Sequence, residues 1–534
     1  MKLLLFSSFI LALTTGSNAD ASKRLLQQSE QASCGEVLAT WTSGVIGDLI
    51  ETGIDQNLGP AGADLKTLAL PQIKYGVQVR KICAVCSDFM EDCGYGGDVA
   101  HSGLVMIPLK DDNSTSIAGG THKAVLYNHG TRAVAQPSTD FVYQDNFFEI
   151  VLSTLYTAAT RSVTIMSDYM SQGESFGQVY RGYIVRKSYE TSVTPLYFQA
   201  KKLLEDETDC SAVADSIFIM GYSEGGYSSV AVAEKMHSMG IDIIRVDPGG
   251  APFDVSGATF VDIVDFVNNG TFPEGVRFYL QYLGFSFSSS RSDMPNFEAG
   301  QDLLTSEARQ TMLDFLASDL PDFEVPGIEA ANNMVPVDDM LSVYNPDFIS
   351  FIETAIAEND RDPCKNRPIA GVNDLLCEAM KEQDIHLVLQ NAQYPVVVCF
   401  SPGDEIVSIR NMPDVSGNPN VTFLEAEGTH SAAGNTCFVA STQYILSPGF
   451  QDYSVTELTS DTCRQSGGAE DQGNASSVGD DGVIEDDETD DEEDKTDRED
   501  AGADDEDVST GVLRLDLLVV LAIIALADPL ASMF

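Results

Sequence analysis

Short apolar runs rich in β-branched residues alternate with longer amphipathic stretches from about Cys34 to Cys463. Gly103 to Leu109, Ala124 to Tyr127, Val163 to Met166, Ser216 to Met220, Ile241 to Val246, Tyr394 to Phe400 and Val421 to Glu425 read as strands. Tyr189 to Leu204 and Gly225 to His237 carry apolar residues at helical spacing and read as crossover helices. The alternation predicts an α/β fold with a mainly parallel central sheet. From about Val255 to Asn391 the rhythm breaks. Helical patterns at Phe260 to Val267, Glu307 to Leu316, Asp339 to Ala357 and Asn373 to Leu389 occur there without a clear strand. Pro273, Pro321 and Pro363 punctuate the segment, so it reads as an insertion of several short helices.

The two ends carry a different pattern. Lys2, an apolar run from Leu3 to Leu13 and small polar residues through Ala19 fit a secretory signal over residues 1–19. Near the C-terminus, Ala501-Gly502-Ala503, a polar spacer and the apolar run Leu517 to Ala527 match the exchange signal for a glycosylphosphatidylinositol anchor. A retained tail anchor or a membrane-adjacent helix is the alternative. Secretion favours disulfides among the 10 cysteines and makes Asn113, Asn269, Asn420 and Asn474 candidate glycan acceptors. The formal net charge is -52, and residues 470–507 alone hold 20 Asp and Glu against Lys495 and Arg498. With no basic run to offset it, this charge argues against a nucleic-acid partner. The acidic stretch reads as a solvated stalk over residues 464–510.

Gly221-Tyr222-Ser223-Glu224-Gly225 follows an apolar strand and precedes an amphipathic helix. That is the strand, elbow and helix context in which G-x-S-x-G exposes a nucleophilic serine. A serine needs an imidazole base, and the chain has six histidines: His101, His122, His129, His237, His386 and His430. The hydrolase order of serine, acid, histidine excludes the first three. His237 falls in the helix leaving the elbow and His386 in the insertion, which leaves His430. Asp404, at the carboxyl end of the preceding strand in Ser401-Pro402-Gly403-Asp404, is the chosen acid; Glu405, Asp414 and Asp247 compete with it. For the oxyanion, the backbone N–H of Glu224 and that of Thr131, beyond the strand ending in Asn128-His129-Gly130, are the expected donors. His129 then packs under the turn. Cys83-x-x-Cys86 with Cys93 and His101 allows a zinc or redox reading, which an oxidising compartment disfavours. Cys364 and Cys377 are expected to pair. No metal or cofactor is implied.

Ser102-Gly103-Leu104-Val105-Met106-Ile107-Pro108, Asn128-His129-Gly130-Thr131, Ser167-Asp168-Tyr169, the serine elbow, Gly249-Gly250-Ala251-Pro252-Phe253-Asp254, Asp404-Glu405 and Gly428-Thr429-His430 follow one another along the chain. In these motifs and their order the chain resembles the α/β-hydrolase superfamily, and within it the secreted lipase-like serine esterases of fungi and bacteria. The resemblance implies a carboxylic-ester hydrolase acting on small-molecule or lipid esters, with a helical cap between the sixth and seventh strands. Elbows in the family commonly read His-Ser-Gln or Tyr-Ser-Gly. Here Glu224 sets a carboxylate beside the serine, which bears on the charge preferred in a substrate. The expected organisation is a Cys-containing extension over 20–100 packing on the core, hydrolase core over 101–254 and 392–463, cap over 255–391, stalk, and hydrophobic signal over 511–534. Rival readings are a serine peptidase on the same fold and a non-catalytic surface binding protein that keeps it.

Overall fold

The computed structural model describes residues 32–455, apart from 59–61, 113, 133–137, 139–141, 143–147, 208–209, 289–301, 317–324, 368–371 and 416. The expected signal, stalk and C-terminal anchor signal lie outside the described residues, as do Asn113 and Asn474. Nine strands form one sheet: β1 (Val37–Trp41), β2 (Val77–Val85), β3 (Ala100–Pro108), β4 (Gly120–Asn128), β5 (Val163–Ser167), β6 (Ser211–Tyr222), β7 (Asp242–Gly249), β8 (Val396–Phe400) and β9 (Val421–Glu425). Their spatial order is β1-β2-β3-β5-β4-β6-β7-β8-β9. The pairs from β1 to β5 through β3 are antiparallel, and every pair from β5 to β9 is parallel.

The core helices are α1 (Ser43–Leu58), α2 (Phe148–Thr160), α3 (Arg186–Glu207) and α4 (Glu224–Ser238). Between β7 and β8 come α5 (Phe260–Asn268), α6 (Phe278–Ser286), α7 (Ser306–Leu316), α8 (Val325–Asn333), α9 (Pro346–Ala357), α10 (Val372–Lys381) and α11 (His386–Asn391). Helix α12 (His430–Ile445) follows β9. The two-residue period of the strands sends side chains to two cores. On β4 and β6, Ala124, Leu126, Ile217 and Ile219 join α3 and α4, whereas Val125, Tyr127, Phe218 and Met220 join α1, α2 and the end of α12. The sheet is thus covered on both sides, which is why its central strands are apolar without alternation.

Three departures from the sequence pattern have physical causes. Residues 20–100 supply β1 and β2 to the sheet itself. β2 escapes the apolar signal because Gln78, Arg80 and Lys81 are buried in it, with Arg80 held by Glu207 at 2.8 Å and Lys81 by Glu174 and the Ala32 carbonyl. The helical insertion accordingly falls between the seventh and eighth strands of this sheet. Helix α6 shows little amphipathic period, since most of its side chains are buried, and α2 is likewise buried over most of its length. The single pattern over Asp339 to Ala357 divides at Asn345, whose side chain accepts the Asp347 N–H at 2.9 Å and caps α9 ahead of Pro346.

Candidate active site

Ser223 stands between the end of β6 and the start of α4 with φ 59° and ψ -121°. A non-glycine residue in this region is strained by about 1–3 kcal/mol, and the surrounding packing must hold it there. Ser223 N–H donates to the Gly249 carbonyl at 2.8 Å, while the Ser223 carbonyl accepts from Gly226 at 3.0 Å. The flanking glycines are sterically required: a Cβ on Gly221 would collide with the Gly225 carbonyl, and one on Gly225 with that of Asn128. The elbow is therefore pressed against the end of β4, where the Thr131 turn begins.

Asp404 and His430 meet at the ends of neighbouring strands. His430 Nδ1 lies 2.6 Å from Asp404 Oδ2, and both residues are 6 % exposed. The other carboxylate oxygen, Oδ1, accepts backbone N–H groups of Ile406 at 2.9 Å and Val407 at 2.7 Å, which fixes the acid's orientation. Ser401 Oγ donates to the Gly428 carbonyl at 2.6 Å and ties the acid turn to the histidine turn. Thr429 caps α12, so His430 occupies its first position. Tyr222, immediately before the serine, donates its hydroxyl to the His430 carbonyl at 2.7 Å, with the two rings 4.9 Å apart. The disulfide Cys399–Cys437 joins the end of β8 to α12, enclosing both Asp404 and His430 in one covalent loop.

The competing acids stand elsewhere. Glu405 Oε2 accepts the backbone N–H of His430 at 2.9 Å and does not meet the ring in any described bond. Asp247 is clamped by Arg245 at 2.5 and 2.8 Å, and burial raises its carboxyl above the usual range. Asp414 is exposed.

Glu224 opens α4, so its N–H has no acceptor inside the helix. Thr131 lies just past β4, its hydroxyl 3.0 Å from that of Tyr183. His129 is fully buried, its Nδ1 2.6 Å from the Gly130 carbonyl and its ring 4.0 Å from that of Tyr169. Burial first, then the Arg132 cation, pushes its imidazole well below the usual range, so it is neutral packing under the turn. The Glu224 side chain turns inward and pairs with Arg181 at 2.5 Å. The sequence shows a carboxylate next to the serine. It cannot show that a cation 43 residues upstream neutralises it.

The zinc and redox reading of the N-terminal cysteines is overturned, because Cys83 is bonded to Cys34 and Cys86 to Cys93. His101 is buried with Nε2 3.1 Å from the Gly96 carbonyl. Cys364 and Cys377 pair as expected. Asp254, Asp384 and His386 bring ligand-type atoms within 4.8 Å of one another. Both Asp254 oxygens accept backbone N–H groups of Gly257 and Ala258, and Asp384 binds Ser256 through N–H and hydroxyl, so the cluster joins the two ends of the insertion.

Among the described residues of the insertion, two tyrosines reach this region. The Tyr279 phenol on α6 interacts with the Thr131 side chain, and the Tyr282 ring lies 5.1 Å from the Arg181 guanidinium. Neither contact was legible in the sequence beyond an apolar, aromatic face at Phe278 to Leu283.

No family model matches the chain, and no curated protein matches it. Solved structures do. A candidate hydrolase of Legionella pneumophila superposes with a TM-score of 0.56 at 18% identity, covering 79% of this chain and 99% of its own. The ligand-bound form of the rice cell wall degrading esterase LipA from Xanthomonas oryzae gives 0.53 at 16%, covering 78% and 96%. Together with the strand order and the elbow, these likenesses give the chain the α/β-hydrolase fold.

Proposed function

We propose that this chain is a serine hydrolase of carboxylic esters, acting through Ser223, His430 and Asp404. Ser223 Oγ attacks the ester carbonyl while His430 Nε2 accepts its proton. The Nδ1–H of His430 donates to Asp404, which fixes the tautomer and stabilises the imidazolium that forms. The N–H groups of Glu224 and Thr131 receive the oxyanion. His430 returns the proton to the departing alcohol, and water then resolves the acyl-enzyme by the same groups in reverse.

The observation that carries this reading is the 2.6 Å contact between His430 Nδ1 and Asp404 Oδ2. It occurs at the strand ends beside a strained serine elbow whose preceding tyrosine holds the histidine. Ester rather than amide substrates are favoured because one neighbour of the same fold is an esterase by name. The helical segment 255–391 acts as the cap that selects the acyl group, a reading supported by the approach of Tyr279 and Tyr282 to the oxyanion side. Four disulfides among the described residues and the apolar N-terminal run support secretion, and the C-terminal pattern supports attachment at a cell surface through a lipid anchor. Among the described residues no helix is long and apolar enough to cross a membrane.

Turnover of matched ester and amide substrates tests the class. The wild-type chain should hydrolyse the ester, and Ser223→Ala should reduce kcat by about 10⁶-fold with the fold retained. Turnover of the amide alone would replace the esterase with a peptidase.

A further inference from the structure

The carboxylate of Glu224 is held in the interior by two groups. Tyr189 donates its hydroxyl to Oε1 at 2.9 Å, and Arg181 donates from Nη2 to Oε2 at 2.5 Å. Arg181, 5 % exposed, uses its other terminal nitrogen on the Arg132 carbonyl at 2.7 Å. That carbonyl belongs to the residue after Thr131. One planar group thus bonds both chain segments that carry the oxyanion donors of the proposed reaction.

The guanidinium also meets two tyrosines, with ring centroids 5.4 Å away for Tyr183 and 5.1 Å for Tyr282. The Tyr183 hydroxyl lies against Thr131, and Tyr282 belongs to α6 of the insertion. Burial, the largest single influence, works to lower the Arg181 pKa, but Glu224 together with Tyr282 and Tyr189 raises the group above its usual range, so the cation is permanent.

A buried ion pair is weak evidence for stability, since apolar side chains of similar volume often serve as well or better. What apolar side chains cannot do is hold a backbone carbonyl. The guanidinium fork is rigid, with its donors at fixed angles, so it sets the spacing between Glu224 and the Thr131 turn. Oxyanion stabilisation depends steeply on that spacing.

We infer that Arg181 is a positioning residue for the reaction proposed above, on which this inference rests: it holds the Glu224 and Thr131 N–H groups at the separation the oxyanion requires and links that separation to the insertion through Tyr282. Its described hydrogen bonds go to Glu224 and the Arg132 carbonyl rather than to Ser223, Asp404 or His430. Its effect belongs to the transition state.

The test is steady-state kinetics on a short-chain p-nitrophenyl ester with the full chain and its Arg181→Lys, Arg181→Met and Arg181→Met/Glu224→Met variants, each with its melting temperature. Lysine offers a point charge that meets Glu224 or the Arg132 carbonyl in one geometry, so kcat should fall about 10²-fold with KM within about two-fold. Arg181→Met alone leaves Glu224 buried without its cation and should melt lower. The double variant should regain the melting temperature and keep the low kcat. A double variant with wild-type kcat, or a lysine variant altered only in KM, would overturn the positioning role. Loss of turnover in the wild-type chain would overturn the esterase reading as well, so the two failures are told apart.

Discussion

At Ser223 the backbone holds φ 59° because the glycines at 221 and 225 lie against carbonyls that leave no space for a Cβ. Gly225→Ala should therefore destroy the elbow, and a melting curve should show the loss before any assay does. The imidazole and its acid act with the serine as a unit. His430→Ala should cost nearly as much kcat as Ser223→Ala, with the double variant no worse, and Asp404→Asn should cost about 10⁴-fold. An equal or larger loss in Asp247→Asn would reassign the acid. Away from the site, burial lowers the pKa of His101 to about 4, against about 6.5 in the unfolded chain. Between those values the unfolded chain binds a proton that the folded one refuses, so stability falls as pH drops from about 6.5 to about 4. The contribution is about 3 kcal/mol across the window. Asp384, pushed up to about 6 by burial, slopes the other way. Urea titrations of the wild type and His101→Gln therefore isolate the imidazole's share: the variant should lose that part of the acid sensitivity.

Strand ends and their turns decide which elements matter. β8 and β9 deliver Asp404 and His430 side by side, and the Cys399–Cys437 disulfide closes that pair of elements. Replacing both cysteines by alanine should lower stability by about 2–5 kcal/mol. It should also reduce kcat at temperatures where the chain is still folded, since the acid and the base share that loop. Activity unchanged in such a folded variant would make the disulfide purely a stability element. In the insertion, substitutions at Tyr279 and Leu283 should shift the ratio of rates on short and long esters by about 10-fold without abolishing both. A chain-length profile indifferent to these changes would place acyl selection elsewhere. The central strands β3 to β6 are readable because a sheet covered on both faces demands apolar runs, whereas β9, with Thr422, Phe423 and Glu425 exposed, shows through its β-branched and aromatic residues. β2 is not readable, because its buried Arg80 and Lys81 are neutralised by Glu207 and Glu174, which lie far along the chain. Helix α6 shows in the sequence only as an apolar, aromatic run from Phe278 to Leu283 without a helical period, because most of its side chains are buried. The serine, acid and histidine could be chosen from order alone, whereas Arg181 had no local signal: its partners Glu224, Arg132 and Tyr282 are brought to it only by the fold.

For the molecule as a whole, the described residues belong to the unit Met1–Cys463, and the acidic stretch lies beyond it. A chain ending at Cys463 should retain full kcat on esters, because no described residue of the site comes from the acidic segment. Phosphatidylinositol-specific phospholipase C should release the full-length protein from cells in a form lacking Leu517 to Ala527, if the C-terminal signal is exchanged as its pattern implies. Recovery of those residues in the mature protein would favour a retained tail. The central claim is narrower: that Ser223 is a nucleophile activated by His430. It is tested most directly by reaction with a fluorophosphonate probe and mass mapping of the modified peptide. The account predicts a single adduct on Ser223, absent in Ser223→Ala and nearly abolished in His430→Ala. An adduct on another serine, or a wild-type chain that stays unmodified while folded, would contradict it.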